Sequence, residues 1–323
     1  MYLIRIFFLY RLSGISASTI NLFFYISSNL PIFITMEKFS AWRDKGTGIS
    51  PFMPLDIAKS PVKKYVVDPI LLLVKLPVFF ILYIVAAVAP KPAIKAVFSL
   101  LFGFSDIDVL VEGIRRTRTA EIDRNRPGIN QVVISNWISP LDVFLVYILS
   151  NVASLKQVAV VLPSNGALYT VSAWLTISLF FGEEVVNVGE KIVDFSSLKD
   201  KLVLYFVEGT ASNNRAVLPF ASTSTSYFDS PGFTYKALVL KMYPNSLTLP
   251  IPYLSRWQYL TRLLTHLSKG LFKVKIVPME TISANSLRLV YADNGLSTVE
   301  LGSDQKEKFR EYYKSYALSN FTK

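Results

Sequence analysis

An α/β fold is predicted by this sequence: a sheet flanked by helices, behind an N-terminal hydrophobic membrane helix or hairpin. Three observations predict it. From residue 105 onward, short β-branched runs alternate with apolar or amphipathic stretches, the pattern of an α/β sheet with parallel strands. A long apolar run at 70–89 precedes them. The composition is 51% hydrophobic with a mean hydropathy of +0.39, above the about 45–50% apolar content usual in soluble domains.

The elements follow in order. Residues 1–35 are apolar and aromatic, with Arg5 and Arg11 as their only charges. They read as an extra anchor, or as an artefact of a start set upstream of Met36. Residues 36–65 read as a polar cytosolic segment. Residues 66–104 form the membrane helix or hairpin. The run at 70–89 is broken only by Lys75 and Pro77 and is just long enough to span a ~30 Å hydrocarbon core. Pro90, Lys91 and Pro92 then turn the chain, and the second apolar run at 93–104 is too short to span. Lysines lie on both sides, so they fix no orientation. The turn and the short second arm favour a hairpin, or a helix lying along the bilayer surface.

Residues 105–323 carry the α/β domain. Strands are expected at 109–112, 131–135, 157–162, 185–188, 202–207, 238–241, 247–251 and 272–277. Helices are expected at 140–149, 167–181 (long and apolar), 195–199 and 303–318, the last with Phe309, Tyr312, Tyr313 and Tyr316 at helical spacing. The Ser/Thr-rich stretch 221–232 reads as a loop.

Composition narrows the chemistry. With no cysteine, disulfides, thiolate metal sites and a cysteine nucleophile are excluded. With one histidine, His266, a histidine metal cluster is excluded too. No metal or cofactor is expected. The net charge of +11 attracts anionic lipid, phosphorylated substrate or nucleic acid. The apolar runs favour lipid, and no nucleic-acid module is visible.

Two blocks stand where strands end, the usual location of ligands in α/β sheets. The first holds Asn136, Trp137, Ser139, Pro140 and Asp142. The second, roughly 70 positions later, holds Glu208, Gly209, Thr210 and Ser212, with Leu218 and Pro219 beyond. These blocks resemble the motifs of the glycerol-3-phosphate and lysophosphatidate acyltransferases, Asn-His-x-Ser-x-x-Asp and Pro-Glu-Gly-Thr-Arg-Ser. Trp137 stands at the histidine position, Val207 at the proline and Ala211 at the arginine. Residues 182–187 take the place of the family's glycine-plus-arginine block without its arginine, and Leu249, Pro250, Ile251 and Pro252 resemble its later proline-containing strand. The similarity covers roughly residues 105–280, and it is greatest to the fungal branch that uses oleoyl-CoA.

The resemblance implies a glycerol-3-phosphate acyltransferase-like mixed sheet flanked by helices. It implies acyl transfer from acyl-CoA, as co-substrate, to lysophosphatidate, making phosphatidate for glycerolipid and triacylglycerol synthesis. It implies work on the endoplasmic reticulum membrane and the lipid droplet. Asn136, Trp137, Ser139 and Asp142 fall at the catalytic positions. Glu208, Gly209, Thr210 and Ser212 fall at the acceptor-binding positions, and Arg215, close by in sequence, is a candidate to stand in for the missing arginine. Indole N–H only donates, so Trp137 cannot act as the family's histidine base. A catalytically inactive lipid-binding member, acting in droplet organisation or membrane traffic, is the competing expectation.

Overall fold

A computed structural model describes residues 36–54, 60–220, 232–250 and 254–321. Among the described residues, ten strands follow the β-branched runs: β1 (Asp106–Val111), β2 (Gln131–Ser135), β3 (Val158–Ser164), β4 (Ala167–Ser172), β5 (Glu190–Ile192), β6 (Leu202–Tyr205), β7 (Ala216–Val217), β8 (Thr234–Tyr243), β9 (Leu271–Met279) and β10 (Ser297–Thr298). The helices are α1 (Asp68–Val85), α2 (Pro90–Ala96), α3 (Thr119–Arg124), α4 (Asp142–Leu149), α5 (Thr176–Leu179), α6 (Val185–Val188), α7 (Arg256–Leu264), α8 (Ala284–Asp293) and α9 (Ser303–Phe321).

Eight strands form one sheet in the order β1-β9-β8-β2-β6-β3-β4-β5; β7 and β10 pair separately. The central strands β8, β2, β6 and β3 run parallel, while β9, β4 and β5 join antiparallel. Strands β2 and β6 are adjacent, so the two blocks leave the sheet side by side. Both strands are buried on both faces, as inner parallel strands require. Val133 and Leu204 point into a core shared with Phe98, Phe144 and Leu263. Val132, Ile134, Val203 and Tyr205 point into a second core, under Leu287 and Tyr291.

Three local expectations are overturned. Residues 167–181 are not a long helix. Asn165 and Gly166 both have positive φ, 48° and 75°, the geometry of a tight hairpin turn. They fold β4 back on β3, and only Thr176–Leu179 is helical. Residues 185–188 form the helical turn α6, with the edge strand β5 just after it. Residues 247–250 are not a strand. A 3-10 turn at Asn245–Leu247 and an irregular stretch occupy that place, consistent with Pro244 and Pro250, which have no N–H for a ladder. Ile251 and Pro252 lie outside the described residues, as does the expected loop apart from Gly232.

The 36–54 segment is part of the globular domain. Phe39, Phe52 and Met53 pack with Leu218, Phe309 and Tyr313. Asp44 Oδ1 accepts the Glu300 N–H at 3.0 Å.

Helix α1 continues a π-helical turn at Lys63–Val67, and together they are long and apolar enough to cross a membrane. Leu73, Val74, Ile81 and Ile84 are exposed. Helix α2 folds back onto α1 as the second arm of a hairpin, and α1 also packs against α7. Lys75, the charge inside the apolar run, points inward. Its Nζ donates to the Leu101 carbonyl at 2.7 Å and the His266 carbonyl at 3.4 Å.

Candidate active site

The side chains of Asn136, Ser139, Asp142, Glu208 and Ser212 each bond main-chain groups. Beyond β2, the Asn136 side chain pairs with Leu240 as a strand would. Its Nδ2 donates to the Leu240 carbonyl at 2.9 Å, and its Oδ1 accepts the Leu240 N–H at 2.8 Å. The Ser139 hydroxyl accepts the Leu141 N–H at 3.1 Å and lies 3.4 Å from the Tyr259 hydroxyl. Asp142 opens α4, where a carboxylate suits the helix dipole. Its Oδ2 accepts the Ile138 and Ser139 N–H groups at 2.7 and 2.9 Å. Its Oδ1 is buried and has no hydrogen-bond partner among the described residues.

The second block closes against the first. Glu208 Oε1 accepts the Trp137 N–H at 3.3 Å, and Oε2 accepts the Leu218 N–H at 2.8 Å. The Ser212 N–H donates to the Trp137 carbonyl at 2.9 Å, and its hydroxyl to the Ala216 carbonyl at 2.8 Å. Gly209 has φ +67°, and a Cβ there would stand 2.7 Å from the Pro163 carbonyl oxygen. The glycine is thus required by contact with β3. Just beyond, Asn213 Nδ2 donates to the Ser50 and Met53 carbonyls, which ties the 36–54 segment to this loop.

The Trp137 ring is 3% exposed. It stacks on Phe206 (centroids 5.0 Å apart, 15°) and meets Phe180 edge-on at 4.8 Å. Its Nε1 has no partner among the described residues.

No protein-family model matches the chain. Among solved structures, a 1-acyl-sn-glycerophosphate acyltransferase from Thermotoga maritima is similar over 75% of this chain and 83% of its own, at 16% identity and a TM-score of 0.32. A Schizosaccharomyces pombe protein, named provisionally as a lysophosphatidic acid:oleoyl-CoA acyltransferase, is 27% identical over 67% of this chain and 77% of its own length. The Saccharomyces cerevisiae lysophosphatidic acid:oleoyl-CoA acyltransferase 1 is 28% identical over 87% of this chain and 97% of its own. The match to that relative is nearly end to end, and the two motif blocks meet at adjacent strand ends. The chain is thus similar, over most of its length, to the fungal lysophosphatidic acid:oleoyl-CoA acyltransferases.

Burial sets the electrostatics of this site. Burial raises the Asp142 carboxyl to about 8, against the lowering effect of its two N–H partners. Burial likewise raises Glu208 to about 8, against the Leu218 and Trp137 N–H groups and the Lys306 charge. Lys306, from α9, reaches into the second block. Its Nζ donates to the Ala211 carbonyl at 2.6 Å and to Thr210 Oγ1 at 2.8 Å. Burial lowers its ammonium to about 7, although the Glu208 charge pulls it up. Arg215 is exposed, so the cation that meets Thr210 is Lys306.

Behind the first block lies an apolar cavity of about 950 Å³. Its walls come from five segments, at 79–86, 93–102, 140–144, 174–181 and 255–263, and they include Pro140, Leu141 and Phe144, which flank Asp142 in sequence. The Tyr259 hydroxyl donates to the Leu247 carbonyl at 2.7 Å, and burial holds its pKa well up. His266 lies past the end of α7, and its ring bonds Ser268. It contributes to neither block.

Proposed function

We propose that the chain transfers an acyl group from acyl-CoA, of the oleoyl type, to lysophosphatidate, and that Asp142 is the proton acceptor. One observation carries this reading: a fully buried carboxyl beside an apolar cavity keeps one oxygen without a partner among the described residues. The acceptor hydroxyl gives its proton to Oδ1 as its oxygen bonds the thioester carbonyl carbon. The C–S bond then breaks, and the leaving CoA thiolate takes the proton back from Asp142. The products are phosphatidate and CoA. A carboxyl titrating near working pH suits a general base, and positioning of both substrates supplies rate that needs no base.

The cavity falls within the about 300–1,000 Å³ of ligand pockets, and its walls suit an acyl chain. The names of the two fungal relatives support the donor and the acceptor. The exposed apolar side of α1 supports seating on a membrane or lipid-droplet surface, at the endoplasmic reticulum and the droplets it forms. With Lys75 fixed inward, the hairpin lies against the domain and offers lipid one side. The test is labelled phosphatidate made by purified protein from oleoyl-CoA and lysophosphatidate. Product must exceed that of an Asp142→Ala, Glu208→Ala variant; equal amounts reject the proposal.

A second reading rests on Trp137. Its ring, sealed between Phe206 and Phe180, supports a groove kept for lipid binding without turnover. Lipid bound stoichiometrically with no product formed is the result that favours it.

A further inference from the structure

Two arginines of the family motifs are missing here, at Ala211 and within residues 182–187. A cation meets each of these places, and both come from α9. Lys306 Nζ bonds Thr210 and the carbonyl of Ala211 itself. One turn later, the guanidinium of Arg310 covers Gly182. Gly182 has φ +110°, and a methyl group there would overlap Arg310. Residues four apart share one helix face, so the two cations stand side by side at the two gaps. We propose that Lys306 and Arg310 of the C-terminal helix form the anion site for the acceptor's phosphate, in place of the missing motif arginines. This rests on the acceptor reading above.

The charges around the pair fit a site awaiting an anion. Among the described residues Arg310 has one acidic partner, Glu307, at 3.7 Å, and its own side chain is partly exposed. Glu208 is engaged by two main-chain N–H groups rather than by a direct bond to Lys306. Burial, and to a smaller extent repulsion from Arg310, depress the Lys306 ammonium against the pull of Glu208. A phosphate between the two groups offsets their repulsion, and charge-assisted bonds to it are the strong kind.

Binding decides the matter without turnover. The full chain in detergent is titrated with lysophosphatidate and with monoacylglycerol of the same acyl chain. The expected result is a preference for the phosphate-bearing lipid of at least about tenfold. Lys306→Met and Arg310→Met should each abolish most of that preference and leave monoacylglycerol binding in place; Lys306→Arg should keep it. Thermal melts verify that each variant is folded, and a Lys306→Gln variant replaces Lys306→Met if that one is not. Absence of preference in the parent protein, or its survival in the methionine variants, overturns the proposal. The acyl-transfer reading fails separately, when lysophosphatidate binds but no phosphatidate forms.

Discussion

The main-chain N–H of Trp137 donates to Oε1 of Glu208 at 3.3 Å, so the residue at the histidine position reaches the acid of the other block through its backbone, not its ring. Glu208 also holds the Leu218 N–H. It therefore clamps the strand ends of β2 and β6 and closes the 208–218 loop that follows β6.

Glu208→Ala leaves two buried N–H groups without an acceptor, at about 1–3 kcal/mol each. The melting temperature should fall by roughly 5 °C or more. Glu208→Gln keeps one acceptor oxygen and should lose about half as much. Thermal melts of the three proteins check this, and an alanine variant melting with the parent would show that Glu208 is no clamp.

The proton acceptor sets the pH profile. With the Asp142 carboxyl at about 8, its basic form is scarce at pH 6. The turnover rate should climb about tenfold per pH unit and level near pH 8. A histidine base would level near its ordinary pKa of about 6.5. Asp142→Asn should cut the rate by ~10²–10⁴ and flatten the profile. A parent profile already flat from pH 6 contradicts the role given to Asp142.

Stability should respond to the same groups. Asp142 and Glu208 both titrate higher in the folded chain than the ordinary carboxylate values of 3.8 and 4.5. The folded state holds those protons more tightly, so the stability they contribute is full below about pH 4 and is lost as pH rises toward 8. Lys306 is depressed, and its opposite contribution acts above about pH 7. Between pH 5 and 7 the melting temperature should therefore fall as pH rises. Asp142→Asn should reduce the slope, with the remainder due to Glu208. An unchanged slope in Asp142→Asn means the carboxyl is ionised in the folded protein.

The two blocks were legible because strand ends and motif spacing are local in sequence. That β2 and β6 are neighbours was not: sheet order is set by which apolar faces the helices cover. The turn at Asn165–Gly166 was written in the sequence, but the apolar run after it reads as helix until the turn is weighed. Lys306 was illegible for another reason. Its partners are the Ala211 carbonyl and a threonine about 95 positions away, and a main-chain acceptor leaves no side-chain pattern. The cavity was hidden in the same way, because five separate segments each supply part of its wall.

Trp137→His tests whether the site awaits its base. The imidazole is smaller than the indole wedged against Phe206 and Phe180, so some packing is lost; Trp→Ala in a core costs about 3–5 kcal/mol, and histidine should cost less. In return, Asp142 Oδ1 gains a ring N–H to accept, which fixes the tautomer and directs the other nitrogen outward as a base. If the cavity and the acceptor contacts are built for acyl transfer, phosphatidate formation at pH 7 should rise about 10²-fold. The pH profile should also move from a plateau near 8 toward one near 6.5. Measuring labelled phosphatidate from pH 5.5 to 9 reads both effects. A folded Trp137→His protein that binds lysophosphatidate yet gains no rate would mean that the acceptor hydroxyl never reaches this carboxyl. The groove would then hold lipid without turning it over.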